Sequence, residues 1–258
     1  PETHETLVSG MGERHLEVAL AKLKRKFGVG AELTRPRIAY RETIRTRAEG
    51  QGRHKKQSGG RGQFGDCWVR IAPAERGDGI RFQDHIVGGA IPSKFIPAVE
   101  KGIHEAAERG VLAGFPLVDF EVELFDGSYH SVDSNEMSFK MAGIQAFKNI
   151  APKCKPVLLE PLDELEIVTP EDSLGDVLGD LSSRRGQILG TDSPADLPGT
   201  RVRAVVPQSE LYLYASALQS MTHGRAVFRR QFRGYEEMPS DAARRVVEER
   251  DAGMEAQG

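Results

Sequence analysis

Apolar residues near the start of the chain recur at helical spacing. They are Leu16, Leu20, Leu23 and Phe27, and Gly28 follows as a stop signal. This spacing predicts a helix that ends at residue 28. In the next residues, 31–44, apolar and polar side chains alternate around Ile38 and Tyr40, as they do in a β-strand. One helix and about two short strands are too little for a stable domain, so we expect residues 1–40 to be part of an α/β module.

The strongest alternation along the chain lies in residues 64–71. Cys67, Val69 and Ile71 would share one face of a strand, with Trp68 and Arg70 on the other. Cys67 is therefore expected in the core. Periodicity predicts further strands at 80–87 and 116–125, and helices at 94–109 and about 133–150. The second helix is expected to start at an Asp133 N-cap, with Glu136 completing a capping box.

A break with two prolines at 152–156 separates this region from a second pattern. Its elements are predicted as β 157–169, α 173–184, β 186–191, β 200–206, α 209–220 and β 225–234. The βαββαβ order is typical of a ferredoxin-like split βαβ domain. A short charged helix is expected at 240–250. The chain is thus predicted to have an α+β fold.

Composition limits the kinds of partner. The 258 residues suggest one large or two modest domains, and the net charge of −3 means that any nucleic-acid contact needs a local basic cluster. Residues 45–65 supply one, with Glu49 as the single acid among six cations: Arg45, Arg47, Arg53, Lys55, Lys56 and Arg61.

Two distant cysteines form no CxxC pair, which argues against a disulfide framework or zinc site and fits a reducing cytosol. No apolar run is long enough to span a membrane and no signal peptide opens the chain. Because the chain begins at Pro1, we expect a piece of a longer protein.

Residues 53–65, RHKKQSGGRGQFG, combine these cations with glycine. A mobile, basic backbone of this kind suits a surface that contacts phosphate, but it also suits a solvated hairpin end, and composition does not decide between them. The spacing Gly60-x-Gly62-x-x-Gly65 matches a dinucleotide fingerprint. That fingerprint must open a helix, whereas a strand is predicted here, so we expect no nucleotide site.

A polar loop around His130 offers other chemistry. Ser128 or Ser134 together with His130 and Asp133 could suggest a nucleophilic triad. His130 with Asp133 and Glu136 could suggest a metal site. Side chains so close on one loop rarely reach triad geometry, and no second ligand cluster is present. We interpret His130 as either a tip residue that stacks on or hydrogen-bonds to RNA, or an ordinary exposed loop histidine.

Several segments together carry a resemblance that no single motif does. In chain order they are SGMGERHLEV (9–18), RIAYRETI (37–44), QSGGRGQFGD (57–66), IPAVEKGI (96–103), DGSYHSVDSNEMSFK (126–140), PVLLEP (156–161) and GDVLGDLSSRRGQILG (175–190). Over nearly its whole length, the chain resembles the C-terminal part of the elongation factor G family, the ribosomal translocation GTPases.

The resemblance implies a layout. Residues 1–40 would be the second half of domain III, 41–155 with 239–250 domain IV, and 156–235 a ferredoxin-like domain V. Domain IV of the family resembles domain 2 of ribosomal protein S5 and has a left-handed βαβ crossover. GTP and Mg²⁺ would bind a G domain that this chain lacks, so the chain itself is expected to be no enzyme and to need no cofactor or metal.

The resemblance also implies contact residues. Two domain IV loops would enter the ribosomal A site and touch tRNA, mRNA or rRNA, through Lys55, Lys56, Ser58, Gly59, Gly60, Arg61, Gly62, Gln63, Phe64, Tyr129, His130, Ser131, Val132 and Asp133. A domain V turn would meet the sarcin–ricin loop, through Gln219, Ser220, Met221, Thr222, His223 and Gly224. Gln219 stands where the family usually has arginine, and Leu213 where it usually has glycine.

The implied function is promotion of tRNA–mRNA translocation by a cytoplasmic factor that binds the ribosome, has no membrane partner and is monomeric when free. The run HKKQ before SGG is similar to a divergent group of paralogues, so a role in ribosome recycling or protection is an alternative, as is a free-standing RNA-binding module.

Overall fold

The computed structural model describes residues 5–8, 10, 12–57, 62–193 and 198–255. The elements in chain order are α1 Glu13–Phe27, β1 Arg41–Ile44, β2 Ala48–Lys56, β3 Gln63–Pro73, β4 Ile80–Asp84, α2 Ile96–Ala107, β5 Phe120–Ser128, α3 Glu136–Ile150, β6 Pro156–Thr169, α4 Leu174–Ser183, β7 Gln187–Asp192, β8 Thr200–Pro207, α5 Tyr214–Met221, β9 Val227–Glu237 and α6 Ser240–Glu255. The predicted α+β class is confirmed.

The chain divides into two compact units. One contains Tyr40–Leu159 and Glu237–Gly258, and the other contains Pro1–Ala39 and Glu160–Glu236. We call them the S unit and the F unit and describe each by itself. Among the described residues, no helix has the length and apolar character needed to cross a membrane.

The S unit is built on a four-stranded sheet in the order β2-β3-β5-β4. Its pairs are antiparallel except for the parallel pair β4 and β5, which are joined through α2. The handedness of that connection stays a prediction. Alternate residues of β3, Cys67, Val69 and Ile71, are fully buried, as the pattern predicted. They form one core with apolar residues of α2 and α3, because the inner stripes of these helices match the pleat of the sheet.

Glu42 anchors β1 in the S unit and has no accessible surface. Its carboxylate accepts hydrogen bonds from the backbone N–H groups of Val111, Leu112, Ala113 and Phe115, at 2.6 to 3.1 Å. A buried charge is costly unless such donors surround it. The short segment after α2 is therefore fixed around one carboxylate.

The F unit contains the predicted βαββαβ order. β6 pairs with β8 and β9, and β8 pairs with β7, which gives the strand order β9-β6-β8-β7. Apolar residues on one face, among them Leu165, Ile167 and Val202, form a core with Val177 and Leu181 of α4 and with residues of α5. This arrangement is the ferredoxin-like fold that the element order predicted.

Three sequence-based expectations need correction. Residues 28–40 form no strand, and the first strand begins at Arg41. Asp133 is not the N-cap of α3. Asn135 is, and its Oδ1 accepts the backbone N–H of Ser138 at 2.9 Å. The C-terminal helix, expected at 240–250, continues to Glu255.

Candidate nucleic-acid interface

The topology of the S unit brings two polar loops to the same end of its sheet. β2 ends at Lys56 and β3 begins at Gln63, while β5, antiparallel to β3, ends at Ser128. The loop that follows β5 therefore emerges beside the β2–β3 hairpin. We call residues 55–57, 62–64 and 129–134 the tip surface.

Hydrogen bonds join the two loops. The backbone N–H of Phe64 donates to the carbonyl of Asp133 at 3.0 Å, and the N–H of Gly62 donates to Asp133 Oδ1 at 3.1 Å. Ser134 Oγ donates to the carbonyl of Phe64 at 2.9 Å and accepts the N–H of His130 at the same distance. Asp133 and Ser134 thus hold both loops in one arrangement, a role that the sequence pattern alone did not indicate.

His130 lies on this surface, with 56% of its side chain exposed. Its Nδ1 accepts the backbone N–H groups of Val132 at 3.3 Å and Asp133 at 3.2 Å, and it lies 3.5 Å from Asp133 Oδ2. The ring is therefore held by its own loop through one nitrogen.

The geometry does not form a nucleophilic triad. Ser128 Oγ donates to Asp66 Oδ2 at 2.7 Å, and Ser134 Oγ is bonded to the backbone, so neither hydroxyl is paired with the imidazole. In the part of the chain that the structure describes, no three His, Cys, Asp or Glu side chains are placed to hold a metal ion.

Cationic and aromatic side chains border the tip surface. Lys55 and Lys56 are exposed and neither has an acidic partner among the described residues. Phe64 is half-buried, and the Arg53 guanidinium lies 5.6 Å from its ring centre, within range of a cation–π contact. Tyr129 and Val132 are about half-exposed, at 49% and 58%, and Ser131 is exposed.

Other predicted contact residues are less exposed or are not among the described residues. Gln63 Oε1 is 2.8 Å from His54 Nε2 in a part-buried pair, and Gly62 is buried. Ser58, Gly59, Gly60 and Arg61, all predicted contact residues, lie outside the described residues. Gln63 starts a strand rather than a helix, which agrees with the predicted strand and not with a dinucleotide fingerprint.

The second predicted contact region is the turn after α5 in the F unit. Gln219, Ser220, His223 and Gly224 are exposed, and the Gly224 N–H closes the helix on the Gln219 carbonyl at 2.7 Å. Thr222, which is also a predicted contact residue, is completely buried in this chain.

Thr222 is a structural residue of this turn. Its Oγ1 donates to the Leu218 carbonyl at 2.7 Å and accepts the Ala226 N–H at 3.2 Å. Met221 is half-buried against the F-unit core. The exposed members of the predicted set are therefore Gln219, Ser220, His223 and Gly224.

An ion pair beside this turn was not predicted. Arg225 Nη2 donates to both carboxylate oxygens of Asp172, at 3.0 and 3.1 Å. These hydrogen bonds, and one from Ser173, lower the pKa of Asp172 below its ordinary value. The two residues are 53 positions apart, so no local pattern could have paired them.

Comparison with known proteins gives consistent matches along the chain. Residues 1–35 match the family model for elongation factor G domain III, residues 36–155 that for domain IV, and residues 157–246 that for the elongation factor G C-terminus. Elongation factor G of Aquifex pyrophilus is 49% identical over 253 residues, which are 98% of this chain and 36% of that protein.

A crystal structure of a protein from Thermus thermophilus has a TM-score of 0.87 and 45% identity, and the match covers 97% of this chain and 37% of that one. The chain thus spans about a third of the length of the relatives it matches. With three successive family models covering nearly all of its residues, the chain belongs to the elongation factor G family, of which it carries domain IV, the C-terminal domain and a part of domain III.

Proposed function

We propose that the chain is the ribosome-binding region of a translation factor that promotes tRNA–mRNA translocation, and that the tip surface enters the ribosomal A site. The observation that carries this proposal is the fixed joining of the two loops at one end of the S-unit sheet. Strands of nine residues, such as β2, extend about 30 Å. A sheet of this length can carry its end loops into a narrow site.

The contact chemistry fits RNA. Lys55 and Lys56 are exposed cations that can contact phosphate, while His130 and the half-exposed Tyr129 can stack on bases or hydrogen-bond to them. Arg61 and its glycine neighbours would add to this surface. Gln219, Ser220, His223 and Gly224 would form a separate contact with the sarcin–ricin loop, and Met221 and Thr222 would support that turn from inside.

In this proposal, residues 1–40 belong to domain III, 41–155 with 239–250 form domain IV, and 156–235 form domain V. GTP and Mg²⁺ bind a G domain elsewhere in the full-length factor, so this chain alone does not hydrolyse GTP. The factor acts in the cytoplasm, has no membrane partner and is monomeric when free.

The test is a single-turnover translocation assay with the full-length factor and its His130→Ala variant. The variant should move tRNA more slowly while ribosome-stimulated GTP hydrolysis stays largely intact, because His130 lies on the tip and is not part of a nucleotide site. His104→Ala is a matched control, since His104 is a partly exposed histidine on α2 of the same unit.

Equal translocation rates for wild type and His130→Ala would show that His130 on the tip surface takes no part in translocation. A wild-type factor that splits ribosomes or displaces a bound inhibitor without moving tRNA would instead assign the chain to a recycling or protection paralogue. Measurable GTP or NAD binding by this chain would also contradict the proposal.

A further inference from the structure

We infer that His130 meets its ligand as a hydrogen-bond donor through Nε2, and that Ser134 is the positioning residue that fixes this presentation. The inference rests on the proposed function of the tip surface and deepens it. It specifies the chemistry of the recognised group, which is an acceptor atom of RNA such as a phosphate oxygen, a 2′-hydroxyl oxygen or a base carbonyl.

The surroundings of Nδ1 assign the tautomer. The N–H groups of Val132 and Asp133 lie 3.3 and 3.2 Å from Nδ1, and a backbone N–H can only donate. A hydrogen on Nδ1 would face both of these hydrogens, so neutral His130 must carry its hydrogen on Nε2. The Asp133 carboxylate is more distant, at 3.5 Å, beyond the range of a good hydrogen bond. The tautomer is inferred from these partners, as it must be where hydrogens are not observed.

The other ring nitrogen is available to a ligand. His130 Nε2 has no hydrogen-bond partner within the described part of the chain, and more than half of the side chain is exposed. A donor at this position complements acceptor atoms, which are abundant on RNA. Because the ring is held through Nδ1, its Nε2–H is directed before binding, which lowers the ordering cost of forming the contact.

Ser134 fixes the loop that carries the ring. It is buried at 9% exposure and bonds at the same time to the His130 N–H and to the Phe64 carbonyl on the neighbouring loop. The Ser134 N–H also donates to the His130 carbonyl at 3.0 Å. Removing the hydroxyl leaves two part-buried backbone groups, the His130 N–H and the Phe64 carbonyl, without this partner, so the loop should lose its fixed shape.

The first experiment is ¹⁵N NMR of the histidine rings in this chain, at a pH where the imidazole is neutral. The chain has seven histidines, and the His130 signals are assigned by their loss in His130→Gln. We expect an unprotonated Nδ1 and a protonated Nε2. Ser134→Ala should move the signals toward a mixture of tautomers, whereas Ser131→Ala, a change at an exposed serine in the same loop, should leave them in place.

The second experiment compares two isosteres in the translocation assay of the full-length factor. The side-chain amide nitrogen of Gln lies near the position of Nε2, and that of Asn near the position of Nδ1, so only His130→Gln keeps a donor at the outer position. Losing one hydrogen bond of about 1.4 kcal/mol corresponds to about a tenfold loss of rate. We expect that loss for His130→Asn and a clearly smaller one for His130→Gln.

The outcomes separate this inference from the proposed function. An Nδ1–H tautomer overturns the inference and leaves the proposed function standing. An Nε2–H tautomer with equally slow Gln and Asn variants removes the donor role but keeps the tip in the mechanism. If neither variant is slowed, both proposals fail. An unchanged tautomer in Ser134→Ala removes Ser134 as the positioning residue.

Discussion

Gly65 of β3 lies so close to Ser138 of α3 that a Cβ on Gly65 would stand 2.4 Å from the Ser138 carbonyl oxygen. Gly52 of β2 has the same relationship to α3, where a Cβ would stand 2.0 Å from the Ala142 carbonyl oxygen. These glycines let the helix backbone approach the sheet closely. Gly65, the last glycine of the stretch 53–65, thus serves internal packing.

Gly65→Ala and Gly52→Ala should therefore each destabilise the S unit by about 2–3 kcal/mol or more, since the backbone of α3 must shift to admit a methyl group. Denaturant unfolding followed by the fluorescence of Trp68, the single tryptophan of the chain, measures this. Gly179→Ala is the control, because it adds a methyl group to open space on α4 of the F unit and should leave the S-unit midpoint that Trp68 reports unchanged. Unchanged midpoints for both S-unit variants would contradict the packing explanation.

Replacing Lys55 and Lys56 together with Ala should weaken ribosome binding by the full-length factor, more at low salt than at high salt. If each lysine contacts one phosphate, the slope of log affinity against log salt should become shallower by about 1.4, or about 0.7 for each contact. Equilibrium binding over a salt series measures the slope. Lys101→Ala with Lys148→Ala is the charge-matched control, since both residues are exposed on helices of the same unit. A loss that is uniform at all salt concentrations would point to misfolding.

Burial should make the Cys67 thiol unreactive in the folded protein. Burial, and to a smaller extent the Asp66 charge, raises its pKa from 9.0 to about 12, and burial also raises the pKa of Cys154. At pH 8, a thiol reagent should therefore label both cysteines only as fast as the S unit unfolds, and completely in denaturant. Rapid labelling of the native chain would contradict this.

The raised pKa of Cys67 also makes the stability of the S unit depend on pH. The folded thiol stays protonated up to about pH 12, whereas the unfolded thiol ionises near pH 9. Its contribution to the free energy of unfolding is therefore fully present below pH 9 and is lost as the pH rises from 9 toward 12. Cys67→Ala should lose stability less steeply above pH 9 than the wild type does. Parallel curves would show that the thiol does not titrate differently on folding.

Leu213 adopts a left-handed conformation, with φ 56° and ψ 18°, immediately before α5. This conformation costs a residue with a Cβ about 1 kcal/mol or more, and a glycine almost nothing. Leu213→Gly should therefore be more stable than Leu213→Ala by about 1 kcal/mol, although Ala usually stabilises a protein relative to Gly. Thermal unfolding followed by circular dichroism tests this comparison. A more stable Ala variant would show that the backbone is not strained there.

Local pattern was sufficient for most of the fold. The alternation of Cys67, Val69 and Ile71 predicted β3 and its buried face, and the βαββαβ order predicted the ferredoxin-like unit, because side-chain periodicity directly reflects which face of an element is buried. The prediction of a strand within residues 28–40 was wrong, because alternation is not sufficient for a strand. Alternation there was present, but a strand also needs a hydrogen-bonding neighbour, and residue pattern alone does not supply one.

For the tip surface too, the sequence predicted some features and only the tertiary structure decided others. Sequence alone identified His130, Lys55 and Lys56 as exposed polar candidates and placed them on two loops. Only the tertiary structure decided that Asp133 bridges to Gly62 rather than capping α3, and that Ser134, which binds His130, also binds Phe64, 70 positions away from Ser134. Similarly, Glu42 meets its four backbone donors only after folding. Periodicity records burial along one segment, whereas a hydrogen bond between distant segments depends on strand register and loop geometry, which are fixed only when the sheet has assembled.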